Sequence, residues 1–261
     1  MRRRWPWLAG GLALLVLVSL AVNPWFARQR SLLLMSSYDW SFERGSVPRQ
    51  TGVAVEMPLR GSGLYPLMIT FNADRPMSDW LGAEVSFTVE FTFADFAPRQ
   101  GHSSIFDPGH PLYGAYVGSY YLHGLGRPLS TAEVARVAEF DQRMLALPAL
   151  GLRLADNRFE VLATSTRPVG YAGLNWTSRD ATVLTNCPDH SPDGFLLAYL
   201  QFGTPPRTDR HYPVCELAAR IDVAWLPEHD LSVGTYIMAA TGAEVDRMSA
   251  QVVQQATVSR G

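Results

Sequence analysis

The chain contains no lysine: every one of its 22 basic residues is arginine. Such a bias reads as that of a GC-rich bacterial genome rather than of a selected guanidinium chemistry. Cysteine is almost as scarce. With only Cys187 and Cys215, there is no Cys-x-x-Cys redox or zinc pair, and no thiol near the N-terminus to carry a lipid. The G-x-S-x-G elbow, the Walker loop and the His-Glu-x-x-His helix are missing too. Their absence argues against the common hydrolases, phosphate-loop enzymes and zinc proteases, although a triad needs no such motif. Positive charge is lacking where nucleic acid or anionic lipid would require it. Beyond Arg30, 17 arginines face 24 acidic residues, a net charge of −7, the wrong sign for a phosphate backbone. No repeat period, low-complexity tract or charge run is present.

Long apolar runs are confined to one end. Arg2, Arg3 and Arg4 precede Trp5, and the next charge is Arg28. The 23 uncharged residues between them suffice to cross about 30 Å of hydrocarbon at about 1.5 Å per residue. Trp5 and Trp7 at one end, with Trp25 and Phe26 at the other, suit the two interfaces, and the arginine cluster predicts a cytoplasmic N-terminus. Residues 1–30 thus predict a single-pass signal anchor, transmembrane over about 5–27. A polar connector follows over 31–50, and then an exported strand-rich domain over 51–261. The alternative is a cleaved signal peptide, with residues 8–20 as its apolar region and Ser19-Leu20-Ala21 as a small-x-small site. Pro24-Trp25-Phe26 extends the apolar belt past that point and favours the anchor. Either reading places the domain in the bacterial periplasm, the first on the inner membrane. In that oxidising compartment Cys187 and Cys215 are expected to form a disulfide closing a loop of about 29 residues.

Downstream, abundant aromatics with scattered Gly and Pro predict short strands joined by tight turns. Over 84–93, Val85, Phe87, Val89, Phe91 and Phe93 alternate with Glu84, Ser86, Thr88, Glu90 and Thr92. That period of two predicts an antiparallel strand with one face in the core and the other wet. Further strands are predicted over 52–59 and 64–71, joined by an Arg60-Gly61-Ser62-Gly63 turn, and over 113–123, 159–164, 181–185, 217–225 and 233–239. Another over 195–202, apolar on both faces, suits a central position. Ser130-Thr131-Ala132-Glu133 is a capping box, and Val137, Phe140, Met144 and Leu147 follow at helical spacing before Pro148, predicting a helix over 131–147. Thr241-Gly242-Ala243-Glu244 opens a second, weaker helical stripe through Val245, Met248, Val252 and Val253. The fold class is mainly β (α+β), an antiparallel β-sandwich or open barrel with one or two packed helices.

Three constellations could carry function. His102, Asp107 and His110 share one stretch and could ligate a metal, although Asp107-Pro108-Gly109 is turn chemistry. Asp189, His190, Asp193, Asp209 and His211 lie between the two cysteines on a proline-stiffened loop, where a partner would find a rigid polar surface; a solvated loop is the blander reading. Tyr116, Tyr120 and Tyr121, with glycines interleaved, could form a ligand platform, although tyrosine is ordinary in a half-buried strand and strand glycines mark a bulge or close approach. No cofactor is expected. The leading expectation is a non-enzymatic module that binds another envelope or exported protein, as an envelope accessory or an inhibitor of the immunity type. The alternatives are an envelope hydrolase acting on sugars or peptides, and a small-ligand or sugar-binding domain.

Overall fold

A computed structural model describes residues 45–57, 69–93, 109–146, 158–187 and 213–260, with Val16 as a single residue upstream. Two compact units divide the chain, Met1–Glu43 with Asp193–Pro206 and Arg44–Pro192 with Arg207–Gly261. The elements below all belong to the second. The expected anchor (Val16 apart), the turn at 60–63, the strand at 195–202 and the end of the 131–147 helix lie outside the described residues. Among the described residues no helix is long and apolar enough to cross a membrane.

In chain order the elements are α1 (Ser46–Thr51), β1 (Val53–Glu56), β2 (Ile69–Asn72), α2 (Asp74–Leu81), β3 (Ser86–Phe93), β4 (Tyr116–His123) and α3 (Thr131–Phe140). A π-helical stretch over Asp141–Ala146 continues α3. Then come β5 (Phe159–Tyr171), β6 (Leu174–Asn186), β7 (Val214–Leu226), a 3-10 turn over Pro227–His229, β8 (Leu231–Ala239), α4 (Gly242–Gln255) and β9 (Thr257–Arg260). Seven strands form one antiparallel sheet in the order β2-β3-β4-β8-β7-β6-β5, and β1 pairs with β9 as a separate ribbon. The protein is therefore mainly antiparallel β with a few helices, as the sequence predicts.

Both faces of the sheet are covered. On one, Val117, Tyr121, Val233 and Ile237 form a single apolar cluster with Val47 of α1, Val53 and Val55 of β1, and Val245, Met248 and Val252 of α4. On the other, Phe87 meets Phe140 of α3 edge-on at 5.8 Å between ring centroids, and Trp80 of α2 lies 6.0 Å from Phe140. This double cover modifies the β3 prediction. Val85, Phe87, Val89 and Phe91 are buried as their alternation demands, yet Thr88 on the supposedly wet face is fully buried as well. It accepts a hydrogen bond from the Val47 amide and donates one to Asn72 Oδ1 at 2.8 Å. The connector predicted over 31–50 thus ends in a helix that closes the sheet. β8 is buried along its whole length, as befits a strand with paired neighbours and a layer on each side.

The strands predicted over 159–164 and 181–185 are the outer ends of a much longer hairpin. Its turn is Ala172-Gly173, with φ of 51° and 73°, the left-handed pair that a two-residue type I′ turn requires. Trp176 stacks on Tyr171 at 4.7 Å between ring centroids and donates its indole N–H to the Tyr171 carbonyl, fixing the hairpin near its tip. Both predicted helix caps are present. Ser130 and Glu133 of α3 make the reciprocal capping box, and the Thr241 side chain accepts from the Glu244 amide at the start of α4. The disulfide is formed as expected, Cys187 just past β6 bonding to Cys215 on β7 with 5.8 Å between Cα atoms.

Candidate functional site

The tyrosine strand is the best-described of the three constellations. Period-two alternation sends Tyr116 and Tyr120 toward α3 and Tyr121 to the opposite face. All three are buried, so they do not share a solvent-facing platform. Tyr121 Oη accepts from the Val55 amide at 2.8 Å and ties the ribbon to the sheet. Of the metal candidates only His110 is described; its Nδ1 accepts from the Leu112 amide at 3.1 Å, while His102 and Asp107 lie outside the described residues. Among the described residues no three His, Cys, Asp or Glu gather as a metal set. Asp189, His190, Asp193, Asp209 and His211 lie outside the described residues as well, between the two bonded cysteines.

Glycines make room for the tyrosine rings. On neighbouring strands β4 and β8, Tyr120 stands opposite Gly234 and Gly118 opposite Tyr236. A Cβ on Gly234 would lie 2.2 Å from the Tyr120 ring, and one on Gly118 would lie 2.2 Å from Tyr236 Oη. Each ring lies over the opposing glycine, and Tyr116 and Tyr236 stack at 5.3 Å. The close approach anticipated for strand glycines is here an approach of aromatic side chains.

Above these rings α3 changes pitch. Asp141, the first residue of the π-helical stretch, is buried and accepts from Tyr116 Oη at 3.2 Å and Gln142 Nε2 at 3.3 Å, both through Oδ2; Tyr236 Oη donates in turn to Tyr116 Oη at 3.2 Å. Burial pushes the Asp141 carboxyl up to about 7, against the opposing pull of its hydrogen bonds to Tyr236, Tyr116 and Gln142. The Tyr116 and Tyr236 hydroxyls are raised well above their ordinary range, first by burial and then by the charge of Asp141. The cluster therefore holds one exchangeable proton near neutrality on the carboxyl, with the phenols as fixed donors. Short π-helical insertions recur at functional sites. Asp141 was legible in principle: it falls seven residues after Val134 and four after Val137, an acid on an apolar helical stripe.

Arg179 of β6 lies on the same sheet face. It is 8 % exposed, and its Nη2 donates to Thr131 Oγ1 at the start of α3 over 3.5 Å. Among the described residues its Nε and Nη1 have no hydrogen-bond partner, nor does Tyr120 Oη, and all three atoms are buried. The Arg179 charge acts on the Tyr120 hydroxyl, partly offsetting the effect of burial, which keeps that hydroxyl above its usual range. A guanidinium in a stretch reading Thr-Ser-Arg-Asp gives no sign of burial in the sequence. On the opposite face Tyr171 Oη bonds Asp222 Oδ2 at 3.1 Å and Thr235 Oγ1 at 2.8 Å, and burial raises the Asp222 carboxyl. Arg220 spans Asp180 and Asp246 nearby. These bonds join β5, β6, β7, β8 and α4 and serve the fold. Compared with known proteins, the chain matches no family model and no curated sequence.

Proposed function

We propose that this chain is an exported, non-enzymatic binding module, held on the bacterial inner membrane by residues 5–27, that docks another envelope or exported protein. An assembly accessory and an inhibitor of the immunity type are the two forms such a module takes. The observation that supports this reading is the β5 edge. β5 is 13 residues long and forms one border of the sheet; among the described residues no strand lies beyond it. In a two-residue hairpin the residues flanking the turn, Tyr171 and Leu174, bond to each other. Thr166, Pro168 and Gly170 therefore turn their backbone groups outward. Pro168 lacks a donor there, which blunts indiscriminate pairing. Thr166 and Gly170 keep theirs, and the side chains of residues 165–168 are exposed. An extended segment of a partner would add to this border by main-chain bonding, and a basic partner would suit the acidic exported domain.

The test places a photo-crosslinking amino acid at Thr166 in the full chain, in its own membrane, with Ala250 on the exposed side of α4 as the comparison position. The expected result is one discrete protein adduct from position 166, none from 250, and loss of the adduct when Gly170→Pro removes an outward donor. Equal labelling from both positions, or none from 166, would defeat the reading. An envelope hydrolase is the competing reading, and the buried Asp141 with its proton near neutrality is the observation in its favour. Among the described residues, however, no hydrogen bond joins Asp141 to a histidine or a nucleophile.

A further inference from the structure

We propose that Arg179, Tyr120 and the first turn of α3 form a binding site for a compact oxyanion, a phosphate or a carboxylate carried by a small molecule. A buried cation is tolerated when an anion and a full set of acceptors meet it. Arg179 is 92 % buried by its 8 % exposure, and among the described residues no carboxylate bonds it, Nε and Nη1 have no acceptor, and Nη2 makes the long 3.5 Å contact to Thr131 Oγ1. A planar guanidinium fork in that condition matches the two-oxygen edge of a carboxylate or phosphate.

Two further groups lie on the same sheet face. Tyr120 Oη, which feels the charges of both Arg179 and Asp141, is a third buried donor without an acceptor among the described residues. Thr131 is the first residue of a ten-residue helix, and by helix geometry its amide and that of Ala132 lack intrahelical acceptors. The capping box occupies only the Glu133 amide, and the Glu133 carboxylate is already held by Arg127 and Ser130. One oxyanion would serve Arg179, Tyr120 and the helix end together. Thr131, and Thr166 in register with Arg179 on β5, are both exposed. Nothing in this site depends on a partner strand at the β5 border.

Thermal unfolding of the full chain in detergent, with sodium phosphate or sodium acetate against sodium chloride of matched ionic strength, tests the site. The wild type is expected to gain about 4 °C at an anion concentration about ten times its dissociation constant. The larger of the phosphate and acetate shifts names the ligand class. Tyr120→Phe removes only the unpartnered hydroxyl, so it is expected to melt with the wild type in chloride and to lose at least half of the anion shift. Arg179→Met is expected to be no less stable than wild type in chloride and to show no shift. If Arg179→Met fails to fold, Arg179→Lys carries the same reading, with the charge kept, the fork gone and the shift reduced. No anion shift in the wild type, or the same shift in wild type and Tyr120→Phe, would overturn the proposal.

Discussion

Among single residues, Asp141 makes the sharpest statement about solution behaviour. Its carboxyl ordinarily titrates at 3.8 and is raised to about 7 in the fold. Between those values the folded state keeps a proton that the unfolded state has lost, so this residue's contribution to stability falls as pH rises from about 4 to 7 and is constant above. For a fully buried group the change is on the order of 4 kcal/mol. Chemical denaturation at intervals from pH 4 to 8 should show Asp141→Asn with a flatter profile than wild type, and more stable than it at pH 8. Parallel profiles for the two proteins would show that the raised affinity for the proton is absent. At this scale the sequence was partly informative. Tyr116 and Tyr120 stand out in it, because four tyrosines within residues 113–121 are conspicuous. Their partners do not: Asp141 sits in a helix that already reads well without it, and Arg179 in a polar stretch, so chain-local pattern gives no warning of what the third dimension brings together.

For the elements, legibility followed amphipathic contrast. β3, α3 and α4 were found because their apolar residues recur at the strand or helix period. The inner halves of β5 and β6 were missed, since Arg167, Pro168, Asn175, Thr177 and Asp180 give no alternation and the hairpin is held by its turn and by the Tyr171–Trp176 stack. α1 and α2, of six and eight residues, are too short for periodicity to declare them; tertiary packing decides them. The β4–β8 pair carries a prediction of its own. Adding a methyl group at Gly118 or Gly234 would set a Cβ 2.2 Å from a tyrosine side chain and force that side chain aside, and overpacking of this kind costs about 1–3 kcal/mol or more. Gly118→Ala should be the worse, since its Cβ also meets the Glu90 carbonyl oxygen at 2.5 Å, and backbone yields less readily than a side chain. Pairing Gly234→Ala with Tyr120→Leu should recover part of the loss in a urea titration, because the colliding ring is then gone. Equal stability for Gly118→Ala and wild type would show that the seats are loose.

At the scale of the molecule, the unit that holds both sheets carries one covalent cross-link, between Cys187 and Cys215. The pairing of Cys187 with Cys215 was readable from their number and position alone, and the bond lies at the β6–β7 border, with the Cys187 amide donating to the Pro213 carbonyl at 2.9 Å. Replacing both cysteines by serine should lower unfolding free energy by about 3 kcal/mol on the chain-entropy account, measured on oxidised protein with the reduced wild type as a second reference. A reduced wild type as stable as the oxidised one would mean that the strands hold the loop without it. The order of strands was beyond the sequence, since β4 skips the next three strands, β5, β6 and β7, to pair with β8, a long-range choice that no local signal encodes. The same is true of the ribbon, in which Val53–Glu56 runs alongside Thr257–Arg260. That ribbon stitches the first strand of the unit to its last, some 200 residues apart, so Val53 and Arg260 stand side by side. A load applied between residues 45 and 260 would therefore pull on α1, and through it on Asn72 and Thr88 of the seven-stranded sheet, while it unzips the four residue pairs of the ribbon one at a time.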